Sequence, residues 1–187
     1  MIRRLFSFVV LLMLHATSSH AEAVTVVTDL DLNRYTGKWF EIARFPNKFQ
    51  KQCVSDVSAS YVTRTDGNIE VINRCKNAAG LIEEAIGRAR VPDPEITAKL
   101  KVRFAPRWLT WLPMVWADYW VVDLAPDYSV AAVGDPTKKY LWILSRTPAI
   151  AEPVYQALKK RLVVQGYDAD KLVLTPQEVM KQSPASH

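Results

Sequence analysis

From Lys38 onward, apolar and polar positions alternate in short runs rich in Val, Ile, Tyr, Trp and Phe, each ended by turn-forming residues. A period of two marks a β-strand with one buried face. Eight runs stand out, at 39–45, 54–63, 68–75, 82–91, 98–104, 119–124, 129–133 and 140–146. Thr65, Asp66, Gly67 and Asn68 make a tight hairpin signal, and Gly134, Asp135 and Pro136 break the chain before the eighth run. Eight consecutive strands with short links predict an all-β fold, an eight-stranded up-and-down antiparallel β-barrel. Such a barrel is just wide enough to fill with side chains or to hold one small ligand.

Over 151–165 the apolar residues return at helical spacing, with Val154, Leu158 and Leu162 on one face and Lys159, Lys160 and Arg161 mostly on another. Pro153 suits the first turn of that helix and Gly166 its end. A short final strand at 172–174 follows. One helix with one apolar stripe must lie against the outside of the barrel. In the eighth run Tyr140, Trp142, Leu144 and Arg146 point one way and Leu141, Ile143 and Ser145 the other. Both faces are mainly apolar, as expected where one lines the barrel and the other lies under the helix.

The first residues follow another pattern. Arg3 and Arg4 precede an apolar run at 5–14 and small residues at 16–23, which reads as a secretory signal over 1–21, cleaved after Ala21 or Ala23. The run falls well short of the roughly 20 residues of a spanning helix. No cysteine lies near the cleavage site, so lipid attachment there is not expected. These features predict export to the periplasm, with association with the outer membrane left open. Residues 177–187 read as a flexible tail.

Composition narrows the chemistry. The formal net charge is +5 and part of it, Arg3 and Arg4, lies in the signal. The remaining cations are spread along the chain apart from Lys159, Lys160 and Arg161, which argues for a solvated helix face and against a nucleic-acid partner. Two cysteines, Cys53 and Cys75, in an exported chain favour a disulfide. The three histidines, His15, His20 and His187, lie in the signal and at the last position. No cofactor or metal site is therefore expected, nor a histidine-based catalytic triad.

Three blocks of this sequence resemble the lipocalin family, most closely its bacterial lipocalin and apolipoprotein D branch, over about residues 30–176. The stretch YTGKWFEIARFPNKFQ carries the G-x-W signature at Gly37, Lys38 and Trp39, and YLWILSRTP carries the third block with Arg146. The second block is looser, with Asp127 and Tyr128 in VVDLAPDYSVAAV. The resemblance implies that Trp39 plugs the closed end of the barrel with Arg146 across its ring, a structural cation–π pair. It places Cys53 and Cys75 near the open mouth and assigns ligand contacts to Tyr61, Asn73 and Trp142, with Tyr140 and Trp120 as further candidates. Asn73, in mid-strand beside Ile69 and Val71, is a polar group that wants a partner. Tyr61 and Trp142 read equally as core packing. Glu41 shares strand parity with Trp39, and is either a functional carboxylate in the barrel, a satisfied structural acid, or turned outward by a bulge.

The stretch RWLTWLPMVWADYW, from Arg107 to Trp120, gathers four of the six tryptophans. In the implied topology, Trp108, Trp111, Met114 and Trp116 form an apolar lip at the mouth. That lip caps the ligand, rests on a membrane as a peripheral contact, or folds back on itself. The expected function is carriage of a small hydrophobic ligand, a fatty acid, lysophospholipid or similar lipid, with no enzymatic activity. The alternatives are an isomerase-like enzyme on the same fold and a membrane-docking module.

Overall fold

A computed structural model describes residues 23–104 and 115–178. The expected signal segment, and Trp108, Trp111 and Met114 of the apolar lip, lie outside the described residues. The chain opens on a one-turn helix, α1 (Leu32–Tyr35), whose first amides are capped by the Asp31 carboxylate. Eight strands follow: β1 (Gly37–Arg44), β2 (Ser55–Thr63), β3 (Ile69–Lys76), β4 (Ile82–Arg90), β5 (Lys99–Arg103), β6 (Ala117–Leu124), β7 (Val130–Gly134) and β8 (Leu141–Ser145). Helix α2 (Glu152–Val164) and a two-residue strand β9 (Val173–Leu174) complete the fold.

The strands pair antiparallel in sequence order and β1 pairs with both β8 and β2, closing the eight-stranded up-and-down barrel. Closure removes the exposed sheet edge that would otherwise invite association. The pleat sorts side chains into two apolar layers. Trp39, Tyr61, Val71, Leu100, Val121, Val133 and Leu144 form the inner one. Ile42, Val122, Ala132, Leu141 and Ile143 form the outer one, packed with Tyr155, Leu158 and Leu162 of α2. The helix stripe differs from the expected one in one residue: Tyr155 is buried and Val154 is exposed, because at 3.6 residues per turn Tyr155 lies on the face shared by Leu158 and Leu162 and Val154 at its margin. Leu158, fully buried, carries the docking; truncating it to Ala would cost about 2–5 kcal/mol.

Near the mouth β1 and β2 part company. They pair only from Gly37↔Tyr61 to Phe40↔Ser58, and beyond that β1 pairs with β9 at Ala43↔Leu174 and Arg44↔Val173. Asp56 adopts φ 52° where β2 bulges away. The gap is stitched by the residues after β9. The Gln177 amide donates to the carbonyls of Glu41 at 2.8 Å and Val57 at 3.0 Å, and the Asp56 N–H donates to Pro176 O at 2.9 Å. The expected tail therefore starts later than 177, since Gln177 is buried and committed to the wall.

Candidate functional site

At the closed end, the Arg146 guanidinium carbon lies 3.9 Å from the Trp39 ring centroid. Its N–H groups donate to the carbonyls of Arg34, Tyr35, Lys38 and Tyr128. Gly37 is required beneath it: φ is +94°, and an added Cβ would sit 3.3 Å from Arg146 Nη1. The Trp39 indole N–H donates to Tyr35 O at 2.8 Å, so the plug is tied to α1. The structural roles expected for Gly37, Trp39 and Arg146 are all in place.

Above the plug the barrel floor is made of tyrosines. The Tyr119 hydroxyl is 2.8 Å from that of Tyr35 and 2.7 Å from that of Tyr61. Burial raises the pKa of all three, Tyr61 to about 12, so the floor is uncharged. Tyr61 thus lies inside the barrel, bonded within this chain of hydroxyls. The sequence suits both Tyr119 and Trp120 to core packing and offers only Trp120 as a ligand contact. The register Leu100↔Tyr119 and Lys99↔Trp120 turns Tyr119 inward with Leu100 and sends Trp120 out against the α2 cluster, with Lys99 Nζ 4.5 Å from its ring. Trp120 is therefore an outer-layer residue. Trp116 falls on the same outer side of the pleat, beneath the guanidinium groups of Arg90 and Arg103 at 4.3 and 5.0 Å.

Halfway up, Asn73 stands on the inner wall directly between Ala59 of β2 and Ala85 of β4. Its amide has no hydrogen-bond partner among the described residues. Two methyl neighbours leave room where larger side chains would fill the barrel, and Ala85 is exposed although it faces inward. Phe104, 44% exposed, lays its ring under Gly87, where a Cβ would come within 2.6 Å of it. The upper inner wall is therefore mostly apolar, and the Asn73 amide on it has no partner among the described residues.

At the mouth Trp142 and Tyr140 stack, ring centroids 5.9 Å apart, and Phe49 packs on Tyr140 at 5.5 Å. The Trp142 N–H donates to Gln50 Oε1, and Gln50 Nε2 donates to Glu41 Oε2 at 2.7 Å. Gln50 ends a 3-10 turn (Lys48–Gln50) capped by Asn47. Glu41 does point inward. Its other oxygen accepts from Arg44 Nη1 at 2.7 Å and from the Thr175 hydroxyl. The β1 bulge between Glu41 and Ala43 brings Arg44 to the same face. Glu41 is thus a satisfied buried acid that organises the rim. Cys53 and Cys75 form the expected disulfide, Cα atoms 5.5 Å apart, tying the approach to β2 to the end of β3. A pocket of about 480 Å3 opens over this rim, lined by Arg44, Pro46, Asn47, Lys48, Gln50 and Lys51.

Gln50, Thr175 and Gln177 were missed in the sequence because each has a partner across a long separation, and Arg44 because a bulge turns it inward. Tyr35 alone carried a local signal, four residues after the helix-capping Asp31.

The residues 30–177 match the family model described as a lipocalin-like domain. Temperature-induced lipocalin-1 of Arabidopsis thaliana is 44% identical over 156 residues, covering 81% of this chain and 82% of its own. The outer membrane lipoprotein Blc of Escherichia coli (strain K12) is 36% identical over 155 residues, 82% and 83% of the two chains. Apolipoprotein D of Bos taurus is 34% identical over 160 residues, 81% and 79%. Among solved structures, insecticyanin from the tobacco hornworm Manduca sexta superposes with a TM-score of 0.62 at 23% identity, covering 81% and 83%, a likeness of fold. With the plug, the barrel and the outer helix all in place, the chain belongs to the lipocalin family.

Proposed function

We propose that this protein binds and carries a small hydrophobic ligand, a fatty acid, lysophospholipid or similar single-chain lipid, within the cell envelope. The observation that carries the reading is Asn73: an amide with no partner among the described residues, on an inner wall where its neighbours are Ala59 and Ala85. An apolar chamber with few convergent polar groups is what such a ligand requires. Similarity to proteins named as outer membrane lipoproteins supports an envelope location, and the signal-like residues 1–21 support export. A binding role is favoured over catalysis because the inner carboxylate, Glu41, is fully engaged with Arg44, Gln50 and Thr175. Peripheral membrane contact through residues 107–116 belongs to the same reading.

The test is titration of delipidated protein with single-chain lipids, followed by tryptophan fluorescence, since Trp142 lines the chamber. Saturable quenching is expected, weakened about tenfold in Asn73→Leu, the loss of one buried hydrogen bond. Organic extraction of protein purified from its own envelope should return a stoichiometric lipid. An empty barrel that also fails to respond to every lipid added overturns the reading.

A further inference from the structure

Between the upper halves of β1 and β2 the barrel wall is held by side chains where a strand ladder would otherwise run. We infer that this seam is a side door for the ligand, and that residues 175–178 are its latch, staying with β1 while β2 swings free. The inference rests on the ligand-carrying reading above and adds to it the route by which an acyl chain enters and leaves.

The latch is attached to its two sides in different ways. The last pair of the β1–β2 ladder is Phe40↔Ser58. Beyond it the C-terminal segment joins β1 through main chain: Ala43↔Leu174 and Arg44↔Val173 in β9, then the Thr175 N–H to Ile42 O at 2.9 Å. Bonds of this kind extend the sheet and open only with it. On the β2 side one main-chain bond among the described residues, from the Asp56 N–H to Pro176 O at 2.9 Å, is joined by contacts that use side chains. The Gln177 amide donates to Val57 O at 3.0 Å, the Glu178 N–H donates to the Asp56 carboxylate at 2.7 Å, and Lys76 pairs with both Asp56 and Glu178. These ion pairs are partly exposed, and such pairs contribute little. Asp56 is held at φ 52°, a left-handed conformation uncommon outside glycine, which it can leave once the latch lets go. The weaker attachment is therefore the one to β2. The Cys53–Cys75 bridge ties the approach to β2 to the end of β3, so the upper ends of both strands move as one leaf.

Both faces of the seam suit a chain of methylenes. One residue deeper than Ser58 stands Ala59, paired with Asn73, on the part of the inner wall where small side chains leave room. Outside, Val173 and Leu174 are 52% and 63% exposed along the β1 edge, and Val54 is 50% exposed at the approach to β2. Apolar groups on the two banks of a slit ease the passage of an acyl chain, because each methylene that touches them leaves water. At the mouth, by contrast, a chain entering endwise meets the packed rings of Phe49, Tyr140 and Trp142, the last tied to Gln50. The side route asks only that the latch open.

Stopped-flow tryptophan fluorescence on delipidated protein, with hexadecanoate and with lysophosphatidylcholine, decides it. Exchange through a door that is rarely open scales with the open fraction, whereas affinity belongs to the closed state. Gln177→Ala should therefore raise the association and dissociation rates together, each about tenfold, and leave Kd within about twofold. Lys76→Gln, which removes only partly exposed ion pairs, should raise both rates about twofold. Lys160→Gln, on the exposed side of α2, should raise neither. Hydrogen exchange at the Asp56 and Glu178 amides should quicken in step with the rates. Where Gln177→Ala does not fold, Lys76→Gln alone carries the decision. Rates left unchanged by the latch variants overturn the door. So does faster dissociation with Kd weakened in proportion, the behaviour of a residue that only supports the bound state. Both results leave ligand carriage standing, whereas binding of neither lipid overturns carriage and door together.

Discussion

The indole N–H of Trp142 donates to Oε1 of Gln50 at 2.8 Å, across 92 residues of chain, and so locks a cavity aromatic to the segment that lies over the cavity mouth. Gln50 passes the bond on to Glu41. Replacing Gln50 with Leu strips one partner from each of two groups that water reaches poorly. The expected cost is about 1–3 kcal/mol in urea unfolding. Near-ultraviolet circular dichroism should lose part of its tryptophan signal, because the Trp142 ring is no longer held in one orientation. An unchanged spectrum with unchanged stability would show that the bond contributes nothing.

Arg146→Met removes the cation over Trp39 and takes a donor from four carbonyls, of which Tyr35 O keeps the Trp39 indole N–H. A loss of about 3 kcal/mol or more is expected by denaturant titration. Arg146→Lys should recover only a minor part, since an ammonium cannot reproduce the planar fork. A double-mutant cycle with Trp39→Phe separates the ring contact from the carbonyl bonds.

The tyrosine floor makes the fold sensitive to alkali. Tyr61 ionises near 12 in the folded protein and near 10 when unfolded, because burial disfavours the phenolate; Tyr35 and Tyr119 shift in the same direction. A folded pKa above the unfolded one contributes stability that is complete below pH 10 and is lost as pH rises toward 12. Stability should therefore be flat to about pH 10 and fall beyond it. Tyr61→Phe should lessen the fall, measured by thermal melts at stepped pH. A decline already complete by pH 9 would contradict this.

Reduction of the Cys53–Cys75 bridge, or Cys53→Ala together with Cys75→Ala, releases a loop of 22 residues' separation. The expected loss is about 3 kcal/mol in unfolding free energy. Hydrogen exchange should quicken first at the mouth ends of β2 and β3 and last in β7 and β8, which lie away from the bridge.

The barrel was legible because its signals are local. Alternation placed all eight strands within two residues of their observed limits, and the G-x-W block with Arg146 located the plug. What escaped is what depends on register. Tyr119 and Trp120 are neighbours with equal claims on the core, and only pairing with Leu100 and Lys99 decides which faces in. The bulge after Glu41 likewise puts Arg44 on the inner face, where strict alternation would turn it out. Asn73 stood out because an amide amid Ile69 and Val71 is conspicuous in any register. Gln177 was read as tail because nothing within a few residues of it announces that its amide will bridge two strands 120 and 136 residues earlier.

That bridge has a consequence for how the chain is made. Synthesis runs from the N-terminus, yet the upper seam between β1 and β2 is closed by residues 173–178. The first and second strands can meet early at Phe40 and Ser58, but above that point they wait for residues 173–178 to emerge. The barrel stays slit along one side until those residues have left the ribosome. Contacts this distant in sequence are slow to form.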